Sequence, residues 1–173
     1  MKNIERKPIN IIFLDIEGVL ATHRVQFSRF QRGLMESFDP VVVNFLDGVC
    51  SKYLCYIVVT SKSRIEYNDI EWFKSRMIQC GANHLDDFLF PDGELWRTTT
   101  TNFECRALEI DDWFTKFHKK HDDKFFINTY AVIDDNYLGS ISMHDNHFVH
   151  VSKSCDGMAY KDFKKLVEIL EKN

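Results

Sequence analysis

The chain has 173 residues, of which 45% are hydrophobic and 14% aromatic, enough for one globular domain with a substantial core. Its formal net charge of -4 excludes a global positive field, so any contact with nucleic acid or anionic lipid must be local. No apolar stretch is long enough to span a membrane, and the five cysteines lack Cys-x-x-Cys spacing, which favours reduced thiols in a cytoplasmic protein.

Short apolar runs without polar alternation predict the strands of a parallel sheet, because such strands are buried on both faces. The clearest runs are Ile11 to Leu14, Tyr56 to Val59 and Tyr130 to Ile133. Two shorter strands are predicted near Phe88 to Phe90 and Phe148 to Val151.

Helical patterns lie between these runs. Asp39 and Pro40 have the residue types of an N-cap and a first helical position, and a second helix is predicted over Glu66 to Gln79. Two more helices carry a single apolar stripe each, Ile110, Trp113, Phe114 and Phe117 in one and Phe163, Leu166, Val167 and Leu170 in the other. Alternating strands and helices predict one α/β domain over residues 1–173, a doubly wound, mostly parallel, Rossmann-like sheet with helices on both faces.

Ligands of such sheets bind beyond the carboxyl ends of the strands. The residues there are Asp15-Ile16-Glu17-Gly18, the segment from Thr60 to Arg64, and Asp134-Asp135. Carboxylates gathered at one edge repel one another, and a hard divalent cation such as Mg²⁺ relieves that repulsion. Each residue alone also fits a turn or a helix cap, so their joint occurrence at three strand ends carries the prediction.

The same residues suit phosphoryl transfer. Asp15 is the candidate nucleophile, because a carboxylate can form an aspartyl-phosphate that water then cleaves. Glu17 is the candidate general acid and base. Gly18 allows a sharp turn beside the ligand. Thr60 can donate a hydrogen bond to a phosphoryl oxygen, and Arg106 can neutralise its developing charge.

These motifs resemble the haloacid dehalogenase (HAD) superfamily of aspartate-nucleophile phosphohydrolases. Phe13 to Leu20 resembles its first motif, Val58-Val59-Thr60 its second and Val132 to Asp135 its fourth. The similarity is greatest to the HAD domain of Swiss Army Knife RNA repair proteins. That group shows Ser-Ser-x-Trp-Arg after a strand and Arg-Gly-x-Glu-Ile before a helix, which Thr60 to Arg64 and Arg106 to Ile110 partly match.

The resemblance implies the site residues. Asp15, Glu17 through its carbonyl, Asp134 and Asp135 would hold Mg²⁺, while Asp15, Glu17, Thr60 and Arg106 would be catalytic. Gly18, Ser61 and Arg64 would contact the substrate. Two departures are visible: Glu17 replaces the usual Asp, as in the enolase-phosphatase branch, and the third-motif lysine is matched only by Arg106, with Lys62 or Arg64 as alternatives.

Substrate choice in this superfamily depends on inserted caps. Residues 21–39 are too few for a cap domain and predict a short flap, which contains His23, Arg24, Arg29 and Arg32. A second loop of modest size, Phe88 to Asn102, includes the threonines 98–101. A site with little or no cap suits a phosphate on a large molecule, so we expect a phosphate monoester such as a nucleotide or a polynucleotide end. The basic flap residues can contact flanking phosphates, or simply form an ordinary mixed-charge loop.

Other patterns in the sequence allow different interpretations. His144, His147 and His150 recur every third residue, but they lack the cysteine or carboxylate spacing of a zinc site. The tryptophans are expected in the core, with Trp96 beside Arg97 as the one candidate for base stacking.

The alternative function is that of a catalytically weak or inactive protein that binds a phosphorylated ligand or a protein partner. A phosphoacceptor signalling domain fits less well, because there the acceptor follows a later strand than the acidic pair.

Overall fold

A parallel four-stranded sheet forms the centre of the described part of the chain. The computed structural model describes residues 6–28, 38–66, 69–99, 105–136, 144–152 and 157–172. The strand order is β2-β1-β3-β4, and all neighbouring strands pair in parallel. The strands are β1 (Lys7–Leu14), β2 (Cys55–Val59), β3 (Phe125–Asp134) and β4 (Phe148–His150). The predicted parallel α/β fold is therefore confirmed.

Helices fill the connections between the strands. They are α1 (His23–Ser28), α2 (Pro40–Tyr53), α3 (Ser63–Glu66), α4 (Ile70–Gln79), α5 (Arg106–His121) and α6 (Tyr160–Leu170), with a 3-10 helix at Leu85–Phe88. Helix α2 begins as predicted, because the Asp39 carboxylate accepts the Val41 amide at 2.9 Å and Pro40 occupies the first turn.

Strand β1 divides the core in two, because its side chains alternate between the faces of the sheet. Ile11 and Phe13 pack with Trp113 and Phe117 of α5, and the rings of Phe13 and Trp113 meet edge to face at 5.2 Å. Ile12 and Leu14 point the other way, into a cluster formed with α2, α4 and α6. Helices thus cover both faces, as the doubly wound prediction requires.

Two predicted elements differ in the structure. The segment Phe88 to Phe90 does not form the predicted strand: Phe88 ends the 3-10 helix, and the two residues after it make only an isolated bridge beside Ile57. The helix predicted over Glu66 to Gln79 begins later, as α4 at Ile70, and ends as predicted. Asp69 explains the later start, since its carboxylate accepts the Glu71 amide at 3.0 Å and so caps the helix there.

The loop after Leu89 is fastened to the end of α5 by Asp92. Its carboxylate accepts the Glu94 amide at 2.9 Å, Lys120 Nζ at 2.9 Å and His121 Nε2 at 2.9 Å. Burial alone would raise the pKa of Asp92, but these hydrogen bonds hold that pKa well below its usual value. The ionised carboxylate therefore stabilises the fold at neutral pH.

We expect Asp92→Asn to lower the free energy of unfolding at pH 7 by about 1–2 kcal/mol. A carboxyl whose folded pKa is depressed contributes stability above its unfolded pKa of about 4 and loses it as the pH falls towards the folded value. The difference between wild type and variant should therefore shrink below about pH 4 in urea unfolding measured from pH 7 to pH 3.

Asp123→Asn is the matched control, because Asp123 is an exposed acid in the turn that follows α5. Its effect should stay within about 0.5 kcal/mol at every pH. A loss at Asp92 that does not change with pH would contradict the assigned role of its charge.

Candidate active site

The carboxyl ends of β1, β2 and β3 are locked together by backbone hydrogen bonds. The Asp15 amide donates to the Ile133 carbonyl at 2.9 Å, and the Thr60 amide donates to the Leu14 carbonyl at 2.9 Å. In the register of β1 with β3, Leu14 is opposite Ile133. The first residues beyond three adjacent strands therefore meet at one point of the sheet edge.

Three carboxylates converge there. Asp15, Asp134 and Asp135 each place an oxygen within 4.8 Å of the others, and Asp15 and Asp134 are only 6% and 2% exposed. Burial raises the pKa of Asp15 well above its usual range, Asp134 raises it further, and Arg106 opposes the change. Burial also raises the pKa of Asp134. A buried cluster of oxygen ligands whose charges repel one another has the chemistry of a site for a hard divalent cation.

Gly18 lies directly against this cluster. Its φ is +77°, and a Cβ at this position would stand 2.4 Å from Oδ2 of Asp135. Any side chain would therefore both strain the backbone and displace a carboxylate. The structure brings the predicted residue Gly18 to the acidic cluster through close packing, with its backbone in the turn where Ile16 O accepts the amides of residues 19–21.

Arg106 is the cation nearest the cluster among the three that were considered for the third motif. It opens α5, and its guanidinium lies 3.8 Å from Asp15 Oδ1, 3.4 Å from Asp134 Oδ2 and 3.1 Å from Glu109 Oε2. Lys62, by contrast, is exposed. Arg106 can therefore offset charge on Asp15 as well as on a bound anion.

Thr60 is fully buried at the end of β2, and its Oγ1 has no hydrogen-bond partner within the described residues. An unpaired buried hydroxyl costs about 1–3 kcal/mol. Native proteins seldom retain such a group without a reason, and a ligand oxygen is one such partner.

Residues 11–162 match the family described as the HAD domain in Swiss Army Knife RNA repair proteins. The chain belongs to this HAD family. Neither the curated proteins nor the solved structures that were searched gave a match. Membership indicates a phosphatase-type hydrolase and confirms the resemblance drawn from the motifs.

Arg64 of this HAD protein lies in the interior, whereas a residue that contacts substrate would line an open cleft. It is 2% exposed, and it donates to the Thr98 carbonyl at 2.9 Å and to Glu109 Oε2 at 2.7 Å. It also donates to the carbonyls of Thr60 and Ser61. Arg64 therefore fixes the backbone that carries Thr60.

Glu109 was missed as a functional candidate by the sequence reasoning. Its carboxylate accepts from Arg64 and Arg106, and from Thr98 Oγ1 at 3.2 Å, so it joins two cations beside the site. Its spacing of three residues from Arg106 on a helix is the signal that could have identified it, because residues at i and i+3 are neighbours. The distant partner Arg64 could not have been found in this way.

Glu17 and Ser61 meet across the site. The Ser61 hydroxyl donates to Glu17 Oε2, and Ser61 Oγ lies 2.6 Å from Ser63 Oγ. Ser61 is completely buried, whereas Glu17 is half-buried. The structure thus places the second acid of the first motif beside the residue that follows Thr60.

The other candidates lie outside this cluster. The His147 ring stacks on Tyr130 at 4.0 Å and His144 Nδ1 lies 2.9 Å from the Tyr130 hydroxyl. Within the described residues, the acidic cluster is the one group with the arrangement of a metal site. Trp96 is only 3% exposed and belongs to the core, which leaves no free face for base stacking.

Some expectations fall outside the described ranges. Arg29 and Arg32 of the predicted flap, the threonines 100 and 101, and Cys155 are not among the described residues. None of the described helices is long and apolar enough to cross a membrane.

Proposed function

We propose that this protein is a Mg²⁺-dependent phosphatase that forms an aspartyl-phosphate on Asp15. The proposal depends above all on the convergence of Asp15, Asp134 and Asp135 within 4.8 Å, with Arg106 against the first two. The unpaired Thr60 hydroxyl supports it, because a phosphoryl oxygen would satisfy that donor. Family membership supports the same reaction class.

The acidic cluster fits magnesium by its donor set. Asp15, Asp134 and Asp135 supply oxygen ligands, and the Glu17 carbonyl would complete the protein's share of the shell. Bound Mg²⁺ would supply positive charge that offsets the carboxylates and the phosphoryl oxygens. The raised pKa values of Asp15 and Asp134 agree with this assignment, since burial and a neighbouring carboxylate disfavour the charged form of each, and a bound cation would favour it.

The protein side chains divide the reaction into two steps. A carboxylate oxygen of Asp15 attacks phosphorus and forms an acyl phosphate, while the bond to the leaving oxygen breaks and Glu17 gives that oxygen a proton. Glu17, now ionised, takes a proton from water, which attacks phosphorus. The bond between phosphorus and Asp15 breaks, inorganic phosphate leaves, and both carboxyl groups return to their starting forms.

We propose a phosphate monoester at the end of a nucleotide or polynucleotide as the substrate. The family description, which names RNA repair proteins, supports this class. The described residues between β1 and α2 hold only the six-residue helix α1, and nothing of cap size appears in the described parts of the segment between β2 and α5. Such a site would admit the end of a long molecule.

The test is hydrolysis of an aryl phosphate, nucleotides, and oligonucleotides phosphorylated at the 3' or the 5' end, each with Mg²⁺ and with chelator. We expect turnover that needs Mg²⁺ and a kcat/KM at least tenfold higher for a phosphorylated oligonucleotide than for the aryl phosphate, a difference of about 1.4 kcal/mol.

Full activity in chelator would contradict the metal requirement. Silence of the wild type on every substrate, with Mg²⁺ binding intact, would instead favour a protein that binds a phosphorylated ligand without cleaving it. Equal kcat/KM for aryl and nucleotide substrates would contradict the substrate class alone.

A further inference from the structure

The carboxylate of Glu17 is held by a chain of two buried serine hydroxyls. Ser61 Oγ donates to Glu17 Oε2, and Ser61 Oγ accepts the Ser63 amide at 3.1 Å. Ser63 Oγ lies 2.6 Å from Ser61 Oγ. Glu17 and Ser61 are 44 residues apart in sequence, so the contact joins the loop after β1 to the loop after β2.

The number of hydrogens on each hydroxyl determines which group donates in each of these hydrogen bonds. A serine hydroxyl has one hydrogen to donate and two lone pairs to accept with. Because Ser61 gives its hydrogen to Glu17, both of its lone pairs accept from Ser63, one from the amide and one from the hydroxyl. Ser61 is then fully satisfied by these contacts and cannot rotate without breaking one of them.

The hydrogen bond from Ser61 also makes the two carboxylate oxygens of Glu17 different from each other. Ser61 donates to Oε2, which leaves Oε1 as the oxygen better placed to exchange a proton with a leaving group or with water. A glutamate has one more rotatable bond than an aspartate, and holding one of its oxygens reduces the freedom of the other. Preorganisation of this kind raises rate by removing unproductive orientations.

We propose that Ser61, supported by Ser63, is the positioning residue that aims the Glu17 carboxyl at the leaving oxygen. The inference rests on the proposed function, because it assigns a partner to the general acid of that reaction. Ser63 holds Ser61 in place for this contact through its amide and its hydroxyl. Glu17 remains the group that exchanges the proton.

The first test is the dependence on leaving group in Ser61→Ala. An alkyl phosphate such as a nucleotide needs a proton on its leaving oxygen, whereas nitrophenolate leaves without one. We expect kcat/KM, which reports the first irreversible step, to fall about 10- to 100-fold for the nucleotide, the range that a charge-assisted hydrogen bond supports. For nitrophenyl phosphate the fall should be less than about threefold, since little proton donation is needed there.

Ser63→Ala should show the same selectivity with a smaller loss, because the contact from Ser61 to Glu17 survives. Ser75→Ala is the control, since Ser75 is an exposed serine of α4 whose hydroxyl donates to Trp72 O of the same helix. Urea unfolding of each variant checks that the fold persists.

The second test is a double-mutant cycle that combines Ser61→Ala with the shorter acid in Glu17→Asp. A carboxylate one carbon shorter falls about 1.5 Å short of Ser61, so in a Glu17→Asp background the additional change Ser61→Ala should cost less than about threefold. The double-mutant cycle on the nucleotide substrate therefore measures the coupling directly.

Equal losses on both substrates, or equal losses in both backgrounds, would show that Ser61 acts only on the fold and would overturn the inference. Unchanged kcat/KM in Ser61→Ala would overturn it as well. Failure of the proposed function looks different, because the wild type itself would then lack turnover.

Discussion

Asp15→Asn is expected to reduce phosphatase turnover by about 10⁴-fold or more, to the background of the assay. The amide is almost the same size as the carboxylate but cannot attack phosphorus to form an acyl phosphate. Steady-state hydrolysis of nitrophenyl phosphate with Mg²⁺ measures the loss, and trapping of a phosphorylated protein in the wild type but not in the variant locates the intermediate.

Asp123→Asn supplies the control, since it removes an exposed acid just before the start of β3, at the opposite end of that strand from Asp134. Its turnover should match that of the wild type. Hydrolysis by Asp15→Asn at the wild-type rate would remove Asp15 from the nucleophile role, whatever the metal dependence.

Asp15→Asn should also stabilise the metal-free protein. The pKa of Asp15 is higher in the folded state than in the unfolded state, so ionised Asp15 lowers the free energy of unfolding as the pH rises above about 4. In chelator at pH 7 we expect the Tm of Asp15→Asn to exceed that of the wild type by about 2–6 °C. Mg²⁺ should raise the Tm of the wild type and reduce this difference, because a ligand of the folded state stabilises it.

Glu109→Ala is expected to cost about 3–5 kcal/mol in the free energy of unfolding, which lowers Tm by roughly 6–20 °C. The substitution leaves the Arg64 guanidinium buried without its carboxylate, and Arg106 loses its contact at 3.1 Å. Turnover should fall as well, because Arg106 and the Thr60 backbone are both held through this network. Urea unfolding and kcat/KM are the two measurements.

Glu109→Gln is the matched variant, because it keeps an oxygen that can accept from Arg64 while removing the charge. We expect about half the loss of stability seen with alanine, or less. If alanine cost less than about 1 kcal/mol, the paired burial of Arg64 and Glu109 would not support the loop as described.

Local patterns in the sequence predicted those elements whose causes are local. Asp39 and Pro40 located the start of α2, and the unbroken apolar runs located nearly all of β2 and the carboxyl halves of β1 and β3. The run at Tyr130 missed the first residues of β3, because burial alternates from Phe125 onwards. Leu89 was wrongly predicted to be part of a strand, because three apolar residues in a row do not indicate whether a partner strand lies beside them.

The site was predictable to the extent that strand ends define it. Asp15, Thr60, Asp134 and Asp135 each follow or end an apolar run, and parallel topology brings such residues together. Arg64 could not be assigned from sequence, because its interior position depends on Glu109, which lies 45 residues away. The contact of Ser61 with Glu17 is likewise a product of tertiary structure.

The pairing of β1 with β3 also bears on how the protein folds. Asp15 and Asp134 are far apart in the sequence, and they meet only when β3 docks in parallel beside β1, after the intervening chain has closed its loop. Contacts of such long sequence separation form slowly, so the acidic cluster assembles late. A cation bound there contacts groups that are still apart early in folding, so it acts mainly by slowing unfolding. Metal would therefore extend the lifetime of the folded enzyme more than it hastens its formation.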